Sequence, residues 1–227
     1  MSTGGIVRAV PGAVEQFSEL LLPAMRARVA ALGEEGSGAY NFYASRLRQG
    51  IAFLPYEIAL LEALADARLP VARIDDVGCG WGQFVMLLAW CGARALGYEY
   101  DAQRYPTACH FRETLIPKAP ALRLAAFSRK RFPRRVVGFG TQNHLVVTTN
   151  IVTDLADQVE QRTVLGLRRY RYAVVNLDRF CRMRGPADRA GLIAQIEAAG
   201  MAHRGLFRDV GVDGQFHLFE SRRRLFA

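Results

Sequence analysis

Apolar residues recur at helical spacing through the first part of the chain. Residues 13–32 show this pattern, with Pro23 as an expected break or kink, and residues 55–66 show it again. Residues 33–41 lie between the two stretches and are rich in glycine, serine and acid without a period, which predicts a loop. We therefore expect residues 1–70 to form an N-terminal helical cap.

The pattern changes at Ile74 to short apolar strands separated by helices. A strand over 74–77 leads through glycines into a helix, residues 82–92, which is apolar nearly all round, and a second strand follows at 93–100. Strand, glycine turn, helix and strand form a βαβ unit. This unit predicts a parallel sheet that is buried on both faces.

The next segments continue the alternation less clearly. The residues after Pro106 favour a helix, whereas residues 119–143 are basic, are interrupted by glycine and are interpreted as an insertion or flap. The third and fourth strands are predicted at 145–152 and 172–177.

A helix from Pro186 to Gly200 and two final strands complete the predicted order. The two strands, at 203–211 and 214–221, are predicted to pair as a hairpin. The hairpin would place an antiparallel edge on the parallel sheet.

The chain is strongly basic, with 30 arginine and lysine residues against 21 acids and a formal net charge of +9. A basic surface suits nucleic acid or another polyanion. However, Lys118 and Lys130 are the only lysines, and an excess of alanine, glycine and arginine is typical of GC-rich coding. Nucleic acid is therefore kept as an alternative partner.

Spacing and composition argue against several other classes. The longest apolar run, Phe84–Ala93, is far shorter than the ~20 residues of a membrane span. The first residues lack a basic start followed by an apolar block, so we expect no signal peptide and a cytoplasmic location. The four cysteines form no C-x-x-C pair, so neither a disulfide framework nor a metal site is expected.

Three glycines, Gly78, Gly80 and Gly82, stand at alternate positions directly after the first predicted strand. Glycine lets a ligand approach the backbone closely and permits positive φ. The N–H groups at the start of the next helix attract anionic or strongly polar groups. We therefore expect a nucleotide or a nucleotide-like ligand at this strand end.

The details of the motif narrow the kind of nucleotide. A dinucleotide loop would carry glycine or alanine in place of Gln83. The pattern here is D-x-G-x-G-x-G from Asp76, and Glu99 follows Gly78 by 21 residues, at the end of the second strand. This combination resembles motif I and the ribose-binding acid of the class I methyltransferases that use S-adenosylmethionine (SAM).

The resemblance covers residues 70–220 and implies an α/β fold. The expected architecture is a Rossmann-like, mostly parallel sheet with helices on both faces, an antiparallel C-terminal hairpin and an N-terminal helical extension. Residues 71–227 would form the SAM-binding domain. The sequence departs from the family in the long gap between the second and third strands. It also lacks an N-P-P-Y or D-P-P-Y motif, so an adenine amino group is not indicated as acceptor.

The resemblance also implies which residues hold the cofactor. Asp76 would lie near the methionine ammonium, Glu99 would accept both ribose hydroxyls and Tyr100 would lie against the adenine. The implied cofactor-binding residues are Asp76, Gly78, Cys79, Gly80, Gly82, Glu99, Tyr100, Asn150, Ile151 and Asn176. The acids at this edge suit the two positive charges of SAM. Of the neighbouring acids, Asp101 is interpreted as a helix N-cap.

A hydroxyl acceptor needs a base in addition to the cofactor. Asp178 and His144 are the predicted catalytic residues, and Asp154 and His217 are further candidates. No metal ligands are predicted.

Two features of the sequence bear on the acceptor. Four cap residues either line an acceptor pocket or pack a helix onto the sheet: Tyr40, Phe42, Tyr43 and Arg46. Basic segments at 128–135, 167–172 and 221–226 suit backbone phosphates, a small anionic molecule or a lipid surface.

The leading hypothesis is a SAM-dependent methyltransferase for a small or medium organic acceptor, at oxygen in preference to nitrogen. The alternatives are an RNA or protein methyltransferase that uses the arginine-rich segments and a non-catalytic SAM-binding subunit. A nicotinamide dehydrogenase comes last, because Gln83 fills the third glycine place.

Overall fold

Helices and strands alternate along the computed structural model, which describes residues 7, 11–32, 38–132, 143–149, 164–181 and 189–222. The helices are α1 (Ala13–Leu32), α2 (Gly38–Arg48), α3 (Pro55–Ala67), α4 (Gln83–Trp90), α5 (Arg104–Leu115), α6 (Leu177–Cys181) and α7 (Arg189–Ala198). The strands are β1 (Arg73–Val77), β2 (Ala95–Tyr98), β3 (Ala125–Ser128), β4 (His144–Thr148), β5 (Tyr172–Asn176), β6 (Met201–Asp209) and β7 (Gln215–Ser221).

The strands form one sheet in the order β3-β2-β1-β4-β5-β7-β6. The five strands from β3 to β5 in that order pair in parallel, and β7 pairs antiparallel with both β5 and β6. Buried clusters lie on both faces of the sheet. The mostly parallel sheet, the helices on both faces and the antiparallel C-terminal hairpin are thus confirmed.

The segment interpreted as an insertion or flap contains a strand. Residues Ala125–Ser128 form β3 and pair in parallel with β2, after a 3₁₀ turn at Pro120–Leu124. The strands predicted as third and fourth are therefore β4 and β5. The extra strand also accounts for part of the long gap after β2.

The first helix continues through Pro23 and does not break there. Its buried residues are spaced by four, at Ala13, Phe17, Leu21 and Met25, so the apolar stripe extends on both sides of the proline. We infer that packing of this stripe outweighs the intrahelical hydrogen bond that proline removes.

The predicted loop at 33–41 was wrong in its last residues, because α2 begins at Gly38. The N-terminal helices share one apolar cluster with the sheet, and this cluster includes Phe17, Leu60, Ile74 and Phe84. The ring of Phe17 stacks on Trp90 at 5.5 Å between centroids. The cap is therefore packed into the main core.

The ends of two later elements are close to the predicted ones. Helix α5 begins at Arg104, before Pro106, and Asp101 Oδ1 accepts the N–H groups of Gln103 and Arg104, each at 2.8 Å. Asp101 therefore stabilises the turn that leads into α5, but the N-cap residue is Gln103, two positions after the expected one. The helix predicted from Pro186 is described from Arg189 onward.

Three cysteines, Cys79, Cys91 and Cys109, are free thiols. None of the helices in the described ranges combines the length and the apolar character needed to cross a membrane.

The two neighbouring aspartates of β1 point to opposite faces of the sheet, as successive residues of a strand do. Asp75 is fully buried on the face opposite the cap. It accepts hydrogen bonds from the guanidinium of Arg73, whose Nη2 lies 2.8 Å away, and from Tyr170 Oη at 2.8 Å. Asp75 is thus a paired structural carboxylate.

Replacing Tyr170 by phenylalanine should lower the free energy of unfolding by about 1–3 kcal/mol, because a buried carboxylate loses one donor. Chemical denaturation monitored by circular dichroism measures this change. The matched control is Tyr172→Phe, two residues later at the start of β5, because the Tyr172 hydroxyl has no hydrogen bond to a described residue. An equal loss in both variants would contradict the assignment.

Candidate functional site

Residues 78–82, which we call the glycine loop, join the carboxyl end of β1 to the start of α4. Gly78, Gly80 and Gly82 have φ values of 75°, 59° and 77°. These values lie in the left-handed region, which side chains with a Cβ rarely adopt. The need for positive φ in this loop is therefore as the sequence analysis expected.

The backbone N–H groups of the glycine loop all donate to acceptors within the protein. The N–H groups of Gly78 and Cys79 donate to the carbonyl oxygen of Tyr98 at 2.9 and 3.2 Å. The Gly80 N–H donates to Glu99 Oε2 at 3.1 Å, and the Trp81 N–H donates to Tyr43 Oη at 3.0 Å. The Gly82 N–H donates to the carbonyl oxygen of Cys79 at 2.9 Å. These bonds do not involve the N–H groups at the start of α4, which the sequence analysis expected to be free. The loop itself thus has no N–H left for a phosphate, which would have to bind at the first turn of α4.

Side chains of the protein fill the space that two of the glycines leave open. A Cβ on Gly80 would overlap with the hydroxyl of Tyr43 from α2, and a Cβ on Gly82 would overlap with the ring of Phe127 from β3. The sequence analysis attributed this space to a ligand. At these two positions the structure shows packing within the protein instead.

Glu99 follows β2 and is buried beside the glycine loop. Its Oε2 accepts the Gly80 N–H, and its Oε1 accepts the N–H of Asp101 at 3.0 Å. A carboxylate has about four lone-pair sites, so each oxygen keeps a site for a further donor. Glu99 is therefore fixed in place and still able to accept two hydroxyl groups.

Asp76 is buried at the carboxyl end of β1, where Thr149 Oγ1 donates to its Oδ1 at 3.4 Å. Burial raises the pKa of Asp76 well above its usual range, and the carboxyl groups of Glu57 and Glu99 raise it further. The buried carboxyl groups of Glu57 and Glu99 therefore both act on Asp76 beside the glycine loop. Such a cluster favours a cationic ligand.

The sequence analysis missed Glu57, the third of these carboxyl groups, which lies on α3. Its Oε2 accepts the Leu54 N–H at 2.6 Å and a hydrogen bond from Arg46 Nη2 at 3.2 Å. Burial raises the pKa of Glu57, and the Arg46 charge opposes that rise. A glutamate two residues after Pro55 signals a helix start, but nothing local signals burial against Asp76.

Tyr43 connects the cap to the glycine loop. Its ring stacks on that of Trp81 with 3.8 Å between centroids and 8° between planes, and its hydroxyl accepts the Trp81 N–H. Its neighbour Phe42 is 44% exposed. Of the predicted acceptor-pocket residues, the structure therefore brings Tyr43 and Arg46 into the buried region.

Asn176 holds together the junction between β5 and the final hairpin. Its Nδ2 donates to the carbonyl oxygens of Thr149 at 3.4 Å and Asp213 at 3.1 Å, and its Oδ1 accepts the Arg179 N–H at 3.2 Å. These bonds occupy both donors of the amide and one acceptor site. Asn176 lies near the candidate site, but its contacts here are structural.

Asp178 is engaged in the same junction. Its Oδ1 is paired with Arg189 Nε at 2.5 Å, and its Oδ2 accepts the N–H of Gln215 at 2.7 Å. Because both oxygens accept strong hydrogen bonds, Asp178 is a structural carboxylate in this arrangement. This argues against its predicted role as the base.

The two candidate histidines lie on different strands, β4 and β7. His144 begins β4 and pairs with Arg73 at the amino end of β1, whereas the glycine loop follows the carboxyl end. His144 is thus at the wrong edge of the sheet for the predicted role. His217 lies on β7, with its Nδ1 2.9 Å from Nε2 of His203.

The predicted adenine contacts are only partly described. Tyr100 is 57% exposed, with the Arg131 guanidinium carbon 5.2 Å from its ring centroid. Asn150, Ile151 and Asp154 lie outside the described residues. Among the side chains that are described, no three His, Cys, Asp or Glu residues are grouped so as to hold a metal ion.

Comparisons with known proteins identify the fold. No protein-family model matches the sequence, and no curated protein is similar to it. Magnesium protoporphyrin IX methyltransferase (ChlM) from Synechocystis PCC 6803, with bound SAM, is 12% identical with a TM-score of 0.54, over 94% of this chain and 98% of that one.

Two further solved structures are similar to this chain over most of their length and support the same fold. N-methyltransferase NodS from Bradyrhizobium japonicum WM9 is 14% identical with a TM-score of 0.54, over 74% of this chain and 95% of that one. PH0226 protein from Pyrococcus horikoshii OT3 is 12% identical with a TM-score of 0.55, over 73% of this chain and 89% of that one. The chain thus has the class I, Rossmann-like methyltransferase fold.

Gly80→Ala should destabilise the protein by about 2 kcal/mol or more, because the new Cβ needs a left-handed backbone and displaces the Tyr43 hydroxyl. The penalty should be smaller in a Tyr43→Phe background, where that hydroxyl is absent. A double-mutant cycle measured by denaturation gives the coupling. Gly200→Ala is the control, because its φ is also positive but no atom lies within 4 Å of its Cβ. A zero coupling would contradict the contact.

Asp76→Asn should stabilise the ligand-free protein at neutral pH. Because burial raises the folded-state pKa of Asp76 above the unfolded-state value, the folded protein retains a proton that the unfolded chain has lost between these two pH values. The free energy of unfolding therefore falls as pH rises through this window, by about 1.4 kcal/mol for each pKa unit. The Asp76→Asn variant has no carboxyl group at this position, so its free energy of unfolding should not fall in this way.

The measurement is the unfolding free energy of both proteins from pH 4 to pH 8, with the exposed Asp66→Asn as control. The gain from Asp76→Asn should shrink toward pH 4, near the ordinary pKa of about 3.9 for aspartate. A variant that is less stable than the wild type at pH 8 would contradict the burial argument.

Proposed function

We propose that the chain is a SAM-dependent methyltransferase for a small or medium organic acceptor. The fold supports this proposal, and the hydrogen bonds and buried charges around the glycine loop are the observation on which it rests. The N–H groups of residues 78–82 all donate within the protein, Asp76 and Glu99 are buried beside the loop, and the Glu57 carboxyl acts on Asp76. These features suit a cationic nucleoside that lacks phosphate.

SAM has these properties, because it carries a sulfonium, an ammonium and a ribose but no phosphate. In this proposal Asp76 attracts the ammonium, and the free lone pairs of Glu99 accept the two ribose hydroxyls. Each hydrogen bond to the Glu99 charge contributes about 1.5–3 kcal/mol. When bound, the cofactor supplies an electrophilic methyl group.

Methyl transfer then depends on alignment and on exclusion of water. The cap is proposed to provide both. Tyr43 packs on the glycine loop, and Tyr56 on α3 is 4% exposed with the Arg179 guanidinium carbon 5.8 Å from its ring centroid. The cap thus links the loop to the β5 end of the same sheet edge.

Oxygen remains the proposed acceptor atom, and its methylation needs a group that takes a proton. Asp178 and His144 are poorly placed for this, for the reasons given by their contacts. Glu57 is the better candidate, because its Oε2 is anchored while its Oε1 accepts no hydrogen bond from a described residue. Burial also raises its pKa toward the range of a useful base.

A polyanionic or protein acceptor is the second candidate function. Arg129, Lys130 and Arg131 are exposed after β3, beside Tyr100. If RNA is the acceptor, its affinity should fall steeply with salt. A non-catalytic subunit would bind SAM but form no S-adenosylhomocysteine (SAH) with any pool of acceptors.

Titration calorimetry with SAM, SAH and NADH tests the proposed cofactor. The wild type should bind SAM and SAH with micromolar affinity and should not bind NADH. Glu99→Gln should weaken SAH binding about tenfold or more, because charge-assisted hydrogen bonds to the ribose are lost.

Glu113→Gln, at an exposed position on α5, is the matched control and should bind like the wild type. A folded wild type that binds neither SAM nor SAH would refute the proposal. Binding of NADH alone would favour the hypothesis of a nicotinamide dehydrogenase.

A further inference from the structure

The connections that lead into the amino ends of the parallel strands are basic. Residues 68–72, 91–94, 116–124 and 168–171 precede β1, β2, β3 and β5, and these connections contain no aspartate or glutamate. Their basic residues, which with Arg73 we call the amino-edge surface, are Arg68, Arg94, Lys118, Arg123, Arg168, Arg169 and Arg171. This edge of the sheet is opposite the glycine loop, which follows the carboxyl end of β1.

The register of the sheet aligns the basic residues at the strand starts. Arg73 pairs with His144 across β1 and β4, and the carbonyl oxygen of Arg94 accepts the N–H of Ile74 at 2.9 Å. On the other side, the Arg171 N–H donates to the carbonyl oxygen of His144 at 3.1 Å. An arginine or a histidine therefore lies at the start of each of the adjacent strands β2, β1, β4 and β5. Because neighbouring strands are about 4.8 Å apart, this row spans about 14 Å.

The positive charge of the row is not neutralised by the described residues. Arg94 and Arg168 are exposed, and neither pairs with a described carboxylate. Arg171 has its guanidinium carbon 5.2 Å from the ring centroid of Tyr172 and likewise has no described carboxylate partner. The arginines of the final hairpin differ, because Arg204 and Arg208 each pair with a glutamate. The amino-edge surface thus keeps its charge for an external anion.

The acids nearest in sequence do not cancel this charge. Asp75 is buried and binds Nε and Nη2 of Arg73, so Nη1 of Arg73 has no partner among the described residues. Glu197, near the end of α7, is paired with Arg222 after β7. The other acids near the ends of the preceding helices are Asp66 on α3 and Glu113 on α5, and the basic residues outnumber them.

The exposed apolar residues do not favour a lipid bilayer at this edge. Surfaces that bind a bilayer combine basic residues with several inserted apolar side chains. In the part of the chain that the structure describes, the large apolar side chains that are exposed are Phe42, Tyr100, Leu165, Leu206 and Val212. Of these, only Leu165 is close in sequence to a residue of the amino-edge surface.

A linked series of phosphates matches the amino-edge surface better. A guanidinium group binds a phosphate through two parallel hydrogen bonds, and the row offers several such groups side by side. A single small anion would use only one or two of them. The extended row of unpaired arginines is therefore suited to the backbone of a nucleic acid.

We propose that the amino-edge surface binds the phosphate backbone of a single-stranded nucleic acid. Contacts of this kind carry no sequence information, so binding is independent of base sequence. The nucleic acid lies at the edge of the sheet opposite the glycine loop, so it docks there without being the methyl acceptor at that edge. This inference does not depend on the identity of the cofactor.

Fluorescence anisotropy with a labelled single-stranded RNA of mixed sequence tests the surface. The wild type should bind at low salt, and its affinity should fall steeply as salt is added. The double variant Arg94→Gln/Arg168→Gln should bind about tenfold or more weakly, and its slope of log K against log salt should be smaller by about 1.4, because each phosphate contact of a single strand contributes about 0.7.

The control is the double variant Arg26→Gln/Arg48→Gln, which removes the same charge from exposed positions on α1 and α2 and should bind RNA nearly like the wild type. Calorimetry should also give the same SAH affinity for the wild type with and without RNA. An equal loss of RNA affinity in the two double variants would show that only net charge matters and would overturn the surface.

Three other results would also overturn the proposal. If Arg129→Gln/Arg131→Gln abolishes RNA binding while Arg94→Gln/Arg168→Gln does not, the nucleic acid binds at the glycine-loop edge. Binding to phosphatidylcholine vesicles that contain phosphatidylserine, without binding to RNA, would assign the surface to a membrane. Absence of RNA binding by the folded wild type at low salt would refute the surface, and SAH binding by the same sample would leave the proposed function intact.

Discussion

Two hydrogen bonds to neighbouring peptide groups hold the central parts of this molecule together. Glu99 from the end of β2 accepts the N–H of Gly80, and Tyr43 from α2 accepts the N–H of Trp81. The two acceptors come from different elements, so the second strand, the cap and the β1–α4 connection meet at the glycine loop. A buried N–H without an acceptor costs about 1–3 kcal/mol, which is a sizeable part of the net stability of a domain.

The charges around the loop work against stability. Asp76 and Glu57 are buried in the same small region, and burial raises the pKa of each because the ionised forms lose water. Functional sites often keep such groups at a cost in stability. The net charge of +9 therefore says little about the ligand, because the buried site is acidic while basic residues such as Arg129 and Arg131 are exposed.

The parts of the fold with strong local signals could be predicted from the sequence, and the parts decided by distant contacts could not. The βαβ unit and the final hairpin have clear periods and turn residues. In contrast, β3 is the short, mainly small-residue segment Ala125–Ser128, and pairing with β2 makes it a strand. Tyr43 reaches Trp81 across 38 positions, which no local pattern reveals. The contacts of Asp178 and the position of His144 at the amino end of its strand were not visible either, because alternation identifies strands without showing which neighbouring groups bind their side chains.

The cap and the loop are coupled by more than packing. Helix α2 carries both Tyr43, which holds the glycine loop, and Arg46, which pairs with Glu57 at the start of α3. A shift of α2 would therefore break the Trp81 hydrogen bond and leave the Glu57 charge without its partner. Loss of a partner from a buried ion pair costs about 3–5 kcal/mol, far more than a surface contact. Access of a ligand to the loop thus requires either an opening that preserves both contacts or a ligand that replaces them with its own polar groups.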